Sequence, residues 1–291
     1  MCQSEEIEIV VSDNASTDET QDAVKKIGDL RIKYYRNDKN LGFDANVLKL
    51  VERASGDFLF FIVDEDYIEF EAIPWILKAI KKNRSITQIL GTVGSTRPNH
   101  KKIYYAYKDK ILEPGHRSLT EILFKNSKMS GIVLKKQSLD VSHAKKYIGF
   151  SYMHQVLQAQ AMIAGSTLCT SKIICYVGPR CKSRIFMIKG PSNVKGKPYF
   201  HPMSRVYQLR KRIEIIYDIT NEKRTRRILL NQQRKAAASL LVTAFLTPSN
   251  SFLETLPLIL DINELVESPI FWATILPQFV RKLLSAVRKL G

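Results

Sequence analysis

The 291-residue chain is poor in cysteine, in long apolar runs and in acidic side chains. Its four cysteines, Cys2, Cys169, Cys175 and Cys181, form no C-x-x-C pair. That spacing gives no support to a zinc ribbon or a dithiol redox motif, and a chain this long does not depend on disulfides, so the four read as free thiols. The apolar run Phe58–Val63 falls far short of the ~18 residues of a bilayer-spanning helix, so no membrane span is expected. No basic segment leading into an apolar stretch opens the chain, and a cytoplasmic protein is the expectation that follows. With 13 glycines, 11 prolines and 45% hydrophobic residues, collagen-like and disordered classes are set aside. Acidic residues number 28 against 45 lysines and arginines, a net charge of +17.

The acidic residues that are present crowd into one place. Residues 1–75 hold 17 Asp and Glu against 8 Lys and Arg, whereas residues 76–181 hold 4 against 18 and residues 182–291 hold 7 against 19. Such asymmetry points to a cation for the first quarter and to an anionic partner, nucleic acid or an anionic lipid surface, for the rest; a solvated charged surface accounts for much of it equally.

Ile7–Val11 is β-branched and ends in Ser12-Asp13-Asn14, after which Ser16-Thr17-Asp18-Glu19 has the form of a capping box opening a helix. Arg31–Tyr35 reads as a second strand, 43–54 as an amphipathic helix, and Phe58–Val63 as a fully apolar strand. Further strands are expected at 131–134 and 171–177, with helices at 118–126, 151–163 and 204–218. Continuous apolar strands between amphipathic helices predict an α/β layered domain with a mostly parallel sheet, whose ligands sit at the carboxyl ends of strands. From about residue 204 the strand signal stops, and helices punctuated by Pro248, Pro257, Pro269 and Pro277 follow. The expected organisation is one domain over 1–203 and a helical appendage over 204–291.

Asp64-Glu65-Asp66 directly follows the apolar strand. Three adjoining carboxylates repel one another unless a cation neutralises them; hard oxygen donors suit Mg²⁺ or Mn²⁺, and Mg²⁺ is commonly completed by substrate phosphates. An exposed acidic turn explains the triplet alone as well. Its company is Val10-Val11-Ser12-Asp13-Asn14-Ala15-Ser16-Thr17-Asp18, then Asn40-Leu41-Gly42-Phe43-Asp44-Ala45-Asn46, then Gly56-Asp57-Phe58 through Asp66. In that order and spacing these segments resemble family 2 glycosyltransferases of the GT-A fold, and within them the bacterial enzymes of surface-polysaccharide assembly, such as abequosyltransferase-like and rhamnosyltransferase-like proteins.

The resemblance implies a nucleotide-diphosphate sugar donor. Asp13 would contact the base, Asn40 and Gly42 would shape the loop past ribose and sugar, and Asp64, Glu65 and Asp66 would hold the metal and diphosphate. The period of a strand makes Asp64 and Asp66 co-facial, whereas ungapped comparison from Gly56-Asp57 puts Glu65 at the family's metal-ligand position. Asp44 and Asn46 open the next helix, where capping competes with substrate contact. Inverting transfer needs a base for the acceptor hydroxyl, usually an aspartate at the start of a helix. Around Tyr147–Gln155 no carboxylate appears, and His154 is the titratable residue there; a hydrogen-bonded structural histidine is the competing reading. Ser130 and Gly131 resemble the family's acceptor-side wall, though a plain strand start also explains them. The family's first strand and helix, with a Pro-Thr-Tyr-like segment, are absent, so the sheet is expected to lack a central strand, as in a truncated reading frame.

Phe271-Trp272, Ile275-Leu276, Phe279-Val280, Leu283-Leu284 and Val287 recur at helical spacing with Arg281, Lys282, Arg288 and Lys289 between them. This is a basic amphipathic helix suited to an anionic membrane interface or to docking on its own domain. The function expected from all of this is inverting sugar transfer to a lipid-linked oligosaccharide at the cytoplasmic membrane face, with peripheral attachment. A catalytically inactive binding or assembly module is the second reading. Nucleic-acid binding rests on charge alone, without zinc-finger, helix-turn-helix or RNA-binding-sheet signatures, and no nucleic-acid partner is expected.

Overall fold

The computed structural model describes residues 6–96, 103–179, 201–246 and 251–287. The chain divides into two compact units, Met1–Gly190 and Pro191–Gly291. The first contains, in order, β1 (Ile9–Asp13), α1 (Thr20–Ile27), β2 (Ile32–Arg36), α2 (Phe43–Arg53), β3 (Phe58–Phe61), β4 (Tyr67–Ile68), α3 (Ala72–Lys82), β5 (Ile86–Ser95), β6 (Ile103–Tyr105), β7 (Lys110–Leu112), α4 (His116–Ile122), β8 (Ile132–Lys135), α5 (Val141–Ala144), α6 (Met153–Ala164) and β9 (Ser166–Val177). The second is helical where described: α7 (Pro202–Ile219), α8 (Lys223–Leu246), α9 (Ser251–Leu260), α10 (Asn263–Val266) and α11 (Pro269–Val287).

The layered α/β class is as expected, but the sheet is not mostly parallel. β1 and β2 form a parallel pair of their own, and the larger sheet runs β3-β8-β5-β9-β4, with β6 on β5 and β7 on β9. Among the described strands only β1/β2 and β5/β9 run parallel; β3/β8, β5/β8, β4/β9, β5/β6 and β7/β9 are antiparallel. A continuous apolar run reports burial on both faces and carries no information on direction. β8 lies between β3 and β5 and opposes both.

β5 organises this sheet. Residues 86–94 are all buried although Thr87, Gln88 and Thr92 are polar. Two glycines let β9 close over it. A Cβ on Gly91 would stand 2.4 Å from Ile174 Cγ1, and one on Gly94 2.4 Å from Tyr176 Cδ1. Ile86 and Ile89 then join Val133, Ile174 and the α3 residues Ala72 and Ile76 in one apolar cluster. On the other side of the unit, α2 buries Val47, Leu48 and Val51.

The expected capping box is not used. Asp13 Oδ1 takes the Ser16 N–H (2.7 Å), Ala15 turns with φ +63°, and α1 starts at Thr20, whose N–H donates to Asp18 Oδ1 (3.1 Å). The loop after β1 thus consumes the residues that would have capped the helix. Glu8 ties this small sheet to the turn after α2: it accepts from the N–H groups of Ser55 (2.5 Å) and Gly56 (2.9 Å) and pairs with Lys33 (2.6 Å). Burial raises the Glu8 carboxyl, but the Lys33 ammonium and these donors outweigh it and hold the pKa down to about 2.

Candidate active site

The residues singled out in the sequence fall into three places. The first is the loop cluster after β1. Asp13 is enclosed, its side chain 1% exposed. Oδ2 accepts from the Tyr34 hydroxyl (2.5 Å) and stands 3.9 Å from the Arg36 guanidinium. Burial pushes this carboxyl up, but hydrogen bonds from Tyr34 and Ser16 and the charge of Arg36 bring it below the usual range. Each Asp13 oxygen thus has a hydrogen-bond partner inside the loop. Asp13 shapes the loop from within. Beside it, Asn14 Nδ2 donates to Asn40 Oδ1 (2.9 Å), and Asn14 Oδ1 accepts from Leu41 N–H (2.9 Å) and Asn37 Nδ2 (3.1 Å). Asn40 Oδ1 also takes the Gly42 N–H (2.8 Å), and Gly42, at φ +81°, turns the chain into α2. Asn46 binds back to the Ser12 carbonyl (3.0 Å), so two turns after parallel strands are locked together by amides.

The second place is the acidic rim after β3. The strand ends at Phe61, and Asp66 N–H closes a turn on the Val63 carbonyl (3.0 Å). That turn breaks the period of two, and the expected co-facial pair does not form: Asp64 is exposed and Asp66 is buried. Asp66 Oδ1 accepts the Gly178 N–H (3.0 Å) from the end of β9, while Oδ2 is buried and accepts no hydrogen bond. Facing it is a lysine that the sequence did not reveal. Lys128 Nζ lies 3.7 Å from Asp66 Oδ2 and 3.9 Å from Glu65 Oε1. The loop carrying it is fixed to β3, since Ser130 Oγ accepts the Val63 N–H (3.0 Å) and Gly131 N–H donates to the Phe61 carbonyl (3.1 Å).

Among the described residues no three His, Cys, Asp or Glu side chains are grouped as metal ligands, so the three carboxylates do not converge on one ion. The donor chemistry of two of them does fit. Glu65 Oε1 and Asp66 Oδ2, which accepts no hydrogen bond, both lie within 4 Å of one cation, Lys128 Nζ, which matches the one or two carboxylates by which Mg²⁺ is usually held.

The third place is the start of α6. His154 is 2% exposed, with Nε2 3.4 Å from the Asn126 carbonyl. A general base must reach the acceptor hydroxyl. This ring is enclosed in the core, and the placement is that of the structural histidine rather than the expected base. A carboxylate does sit at this helix start, but α2 supplies it: Asp44 accepts the N–H groups of Ser151 (2.7 Å), Gly149 (2.9 Å) and Met153 (3.1 Å). Burial pushes the Asp44 carboxyl up, and those three donors oppose the shift. Capping therefore wins over substrate contact at Asp44, on a helix more than a hundred residues away.

With this geometry in view, residues 3–137 match the model of Glycosyl transferase family 2. Just under half of the chain is thus similar to that family. The family region contains the loop cluster, the acidic rim and Lys128. Abequosyltransferase RfbV of Salmonella typhimurium is 27% identical over 165 residues, covering 51% of this chain and 50% of the relative. The chain thus spans about half the length of the curated relative it matches. Among solved structures, S. aureus TarS 1-349 superposes with a TM-score of 0.61 at 15% identity, over 98% of this chain and 83% of that one. Its complex with UDP-GlcNAc gives 0.60 at 17% identity over the same shares. At such identities the likeness shows a shared fold.

Proposed function

We propose that the chain transfers a sugar from a nucleotide-diphosphate donor to a glycan acceptor in surface-polysaccharide assembly, by inverting displacement at the anomeric carbon. The observation that carries the reading is the acidic rim of a family 2 region, where a buried Asp66 oxygen without a hydrogen bond and the Glu65 carboxylate face the same cation. Glu65 and Asp66 would hold Mg²⁺ or Mn²⁺, which supplies positive charge to the departing diphosphate. The loop cluster of Asn14, Asn40 and Gly42 would line the nucleoside side, with Asp13 holding its shape from inside. The likeness to a protein crystallised with UDP-GlcNAc supports a uridine-type donor. Titration calorimetry of UDP with Mn²⁺ is the test. A saturable, Mn²⁺-dependent binding isotherm is expected, and a flat titration overturns the donor reading.

The acceptor side of the proposal is a lipid-linked oligosaccharide at the inner membrane face. No described helix is long and apolar enough to cross a membrane. On α11, Phe271 and Ile275 are buried, and the helix packs on α8. Every fourth residue on another face is apolar and exposed: Trp272 (49%), Leu276 (64%), Val280 (54%) and Leu284 (54%). A contiguous apolar stripe next to Arg281 suits the headgroup layer of an anionic bilayer. The protein is expected to co-sediment with phosphatidylglycerol vesicles and not with phosphatidylcholine alone, and the double change Trp272→Ser with Leu276→Ser to release it. Equal recovery of both proteins in the vesicle pellet would remove α11 from the reading.

A further inference from the structure

We propose that Lys128 is the resident counter-cation of the acidic rim and that its ammonium passes to the donor's diphosphate when a divalent cation takes its place between Glu65 and Asp66. The inference rests on the donor reading above. Its starting point is the mismatch between charge and hydrogen bonding at this spot. Lys128 Nζ is 3.7 Å from Asp66 Oδ2 and 3.9 Å from Glu65 Oε1, beyond the ~3.2 Å limit of an N–H···O bond. It neutralises both carboxylates without giving either a proton. Asp66 Oδ2 is consequently a buried anionic oxygen that accepts no hydrogen bond, an arrangement that costs free energy until a closer cation arrives.

The surroundings separate what is fixed from what can move. The Lys128 backbone is held on both flanks: the Tyr107 hydroxyl donates to Asn126 Oδ1 (2.5 Å), the Tyr105 hydroxyl takes the Ser127 N–H (3.0 Å), and Ser130 binds the end of β3. The four-carbon stem is flexible, and a compact ammonium can turn on it. The Lys128 side chain is 19% exposed, so part of it borders solvent. Nζ also stands 5.6 Å from the centre of the Tyr104 ring, whose face favours a cation beside the carboxylates. A divalent ion bound at ~2.0–2.2 Å from these oxygens would repel the ammonium at once. The nearest compensating anion would be the diphosphate, for which a lysine serves as a point charge. No bond is made or broken in the exchange; one ion pair replaces another.

Lys128→Met removes the charge and keeps the length. Calorimetry with MnCl₂ alone should show the variant binding Mn²⁺ several-fold more tightly than wild type, because the competing cation is gone. Titration with UDP at saturating Mn²⁺, where the ammonium has left the carboxylates, should show its affinity lowered by about tenfold, the scale of one hydrogen bond to a charged group. Lys128→Arg retains the competitor and is expected to bind Mn²⁺ no more tightly than wild type, which also controls for folding. Unchanged or weaker Mn²⁺ binding by Lys128→Met overturns the inference while leaving the donor reading intact. A wild-type protein that binds neither Mn²⁺ nor UDP overturns both.

Discussion

Asp44→Ala is expected to lower the unfolding midpoint by about 10 °C, the largest single-residue stability loss foreseen for the first unit. The carboxylate is buried and satisfies three backbone N–H groups, those of Gly149, Ser151 and Met153. They belong to a segment that turns through positive φ twice, at Gly149 (+106°), where glycine permits it, and at Ser151 (+66°), whose Cβ makes it costly. Alanine leaves three buried donors without an acceptor, at ~1–3 kcal/mol each before water or relaxation recovers part of it. A net loss of ~3–5 kcal/mol follows, and at ~2–4 °C per kcal/mol for a unit of this size the midpoint falls by the stated amount. Asp44→Asn should do about half the damage, since its oxygen still accepts while its NH₂ faces donors. Thermal melts followed by circular dichroism check both; a shift of less than ~2 °C in the alanine variant would mean that the segment finds other acceptors.

The consequence reaches the rim. The first turn of α6 holds the Asn126 carbonyl through Gln155 Nε2 (2.6 Å), and Asn126 stands two residues before Lys128. Asp44 thus supports the loop from which Lys128 faces Glu65 and Asp66, and its loss should loosen that loop in addition to destabilising the fold.

How far the sequence reveals this arrangement depends on the range of the interaction. β1, β2, α2 and β3 are readable because their apolar periodicity is local, and the acidic triplet stands out because its residues are adjacent. β5 escapes the same reading: Thr87, Gln88, Gly91, Thr92 and Gly94 interrupt every apolar run, yet the strand is the buried middle of the sheet. Its glycines are needed because β9 side chains fill the space above them, a fact written some eighty residues away. Asp44 looks like a residue of its own helix until the loop at 149–153 folds onto it. Lys128 is one basic residue among eighteen between 76 and 181, and only the fold shows which of them faces the acidic rim. The co-facial placement of Asp64 and Asp66 that strand periodicity predicts fails for a local reason: the strand ends at Phe61 and a turn has already begun.

The second large effect is expected at Gly178, and it falls on binding more than on stability. A Cβ at this position would lie 1.7 Å from the Glu65 carbonyl oxygen and 2.9 Å from its carbon. Both are backbone atoms, so no side-chain rotation relieves the overlap. Either the turn carrying Asp64, Glu65 and Asp66 moves outward, or the end of β9 moves away. Each route breaks the Gly178 N–H bond to Asp66 Oδ1 and strains the short pairing of Tyr67 with Tyr176 and Ile68 with Cys175. Overpacking of this kind costs ~1–3 kcal/mol, less than the loss of Asp44, and the apolar cluster around Ile86, Ile89 and Val133 is untouched by it. The rim itself tolerates little movement, because displacing oxygen ligands by ~1 Å removes them from a divalent ion and a shift of that size can cost ~100-fold in a reacting site. Gly178→Ala should therefore melt cooperatively, above the midpoint of Asp44→Ala, while its Mn²⁺-dependent affinity for UDP drops by at least ~10-fold. Wild-type affinity in that variant would show that the rim yields to a methyl group without losing its ligands, and would remove Gly178 from the candidate site.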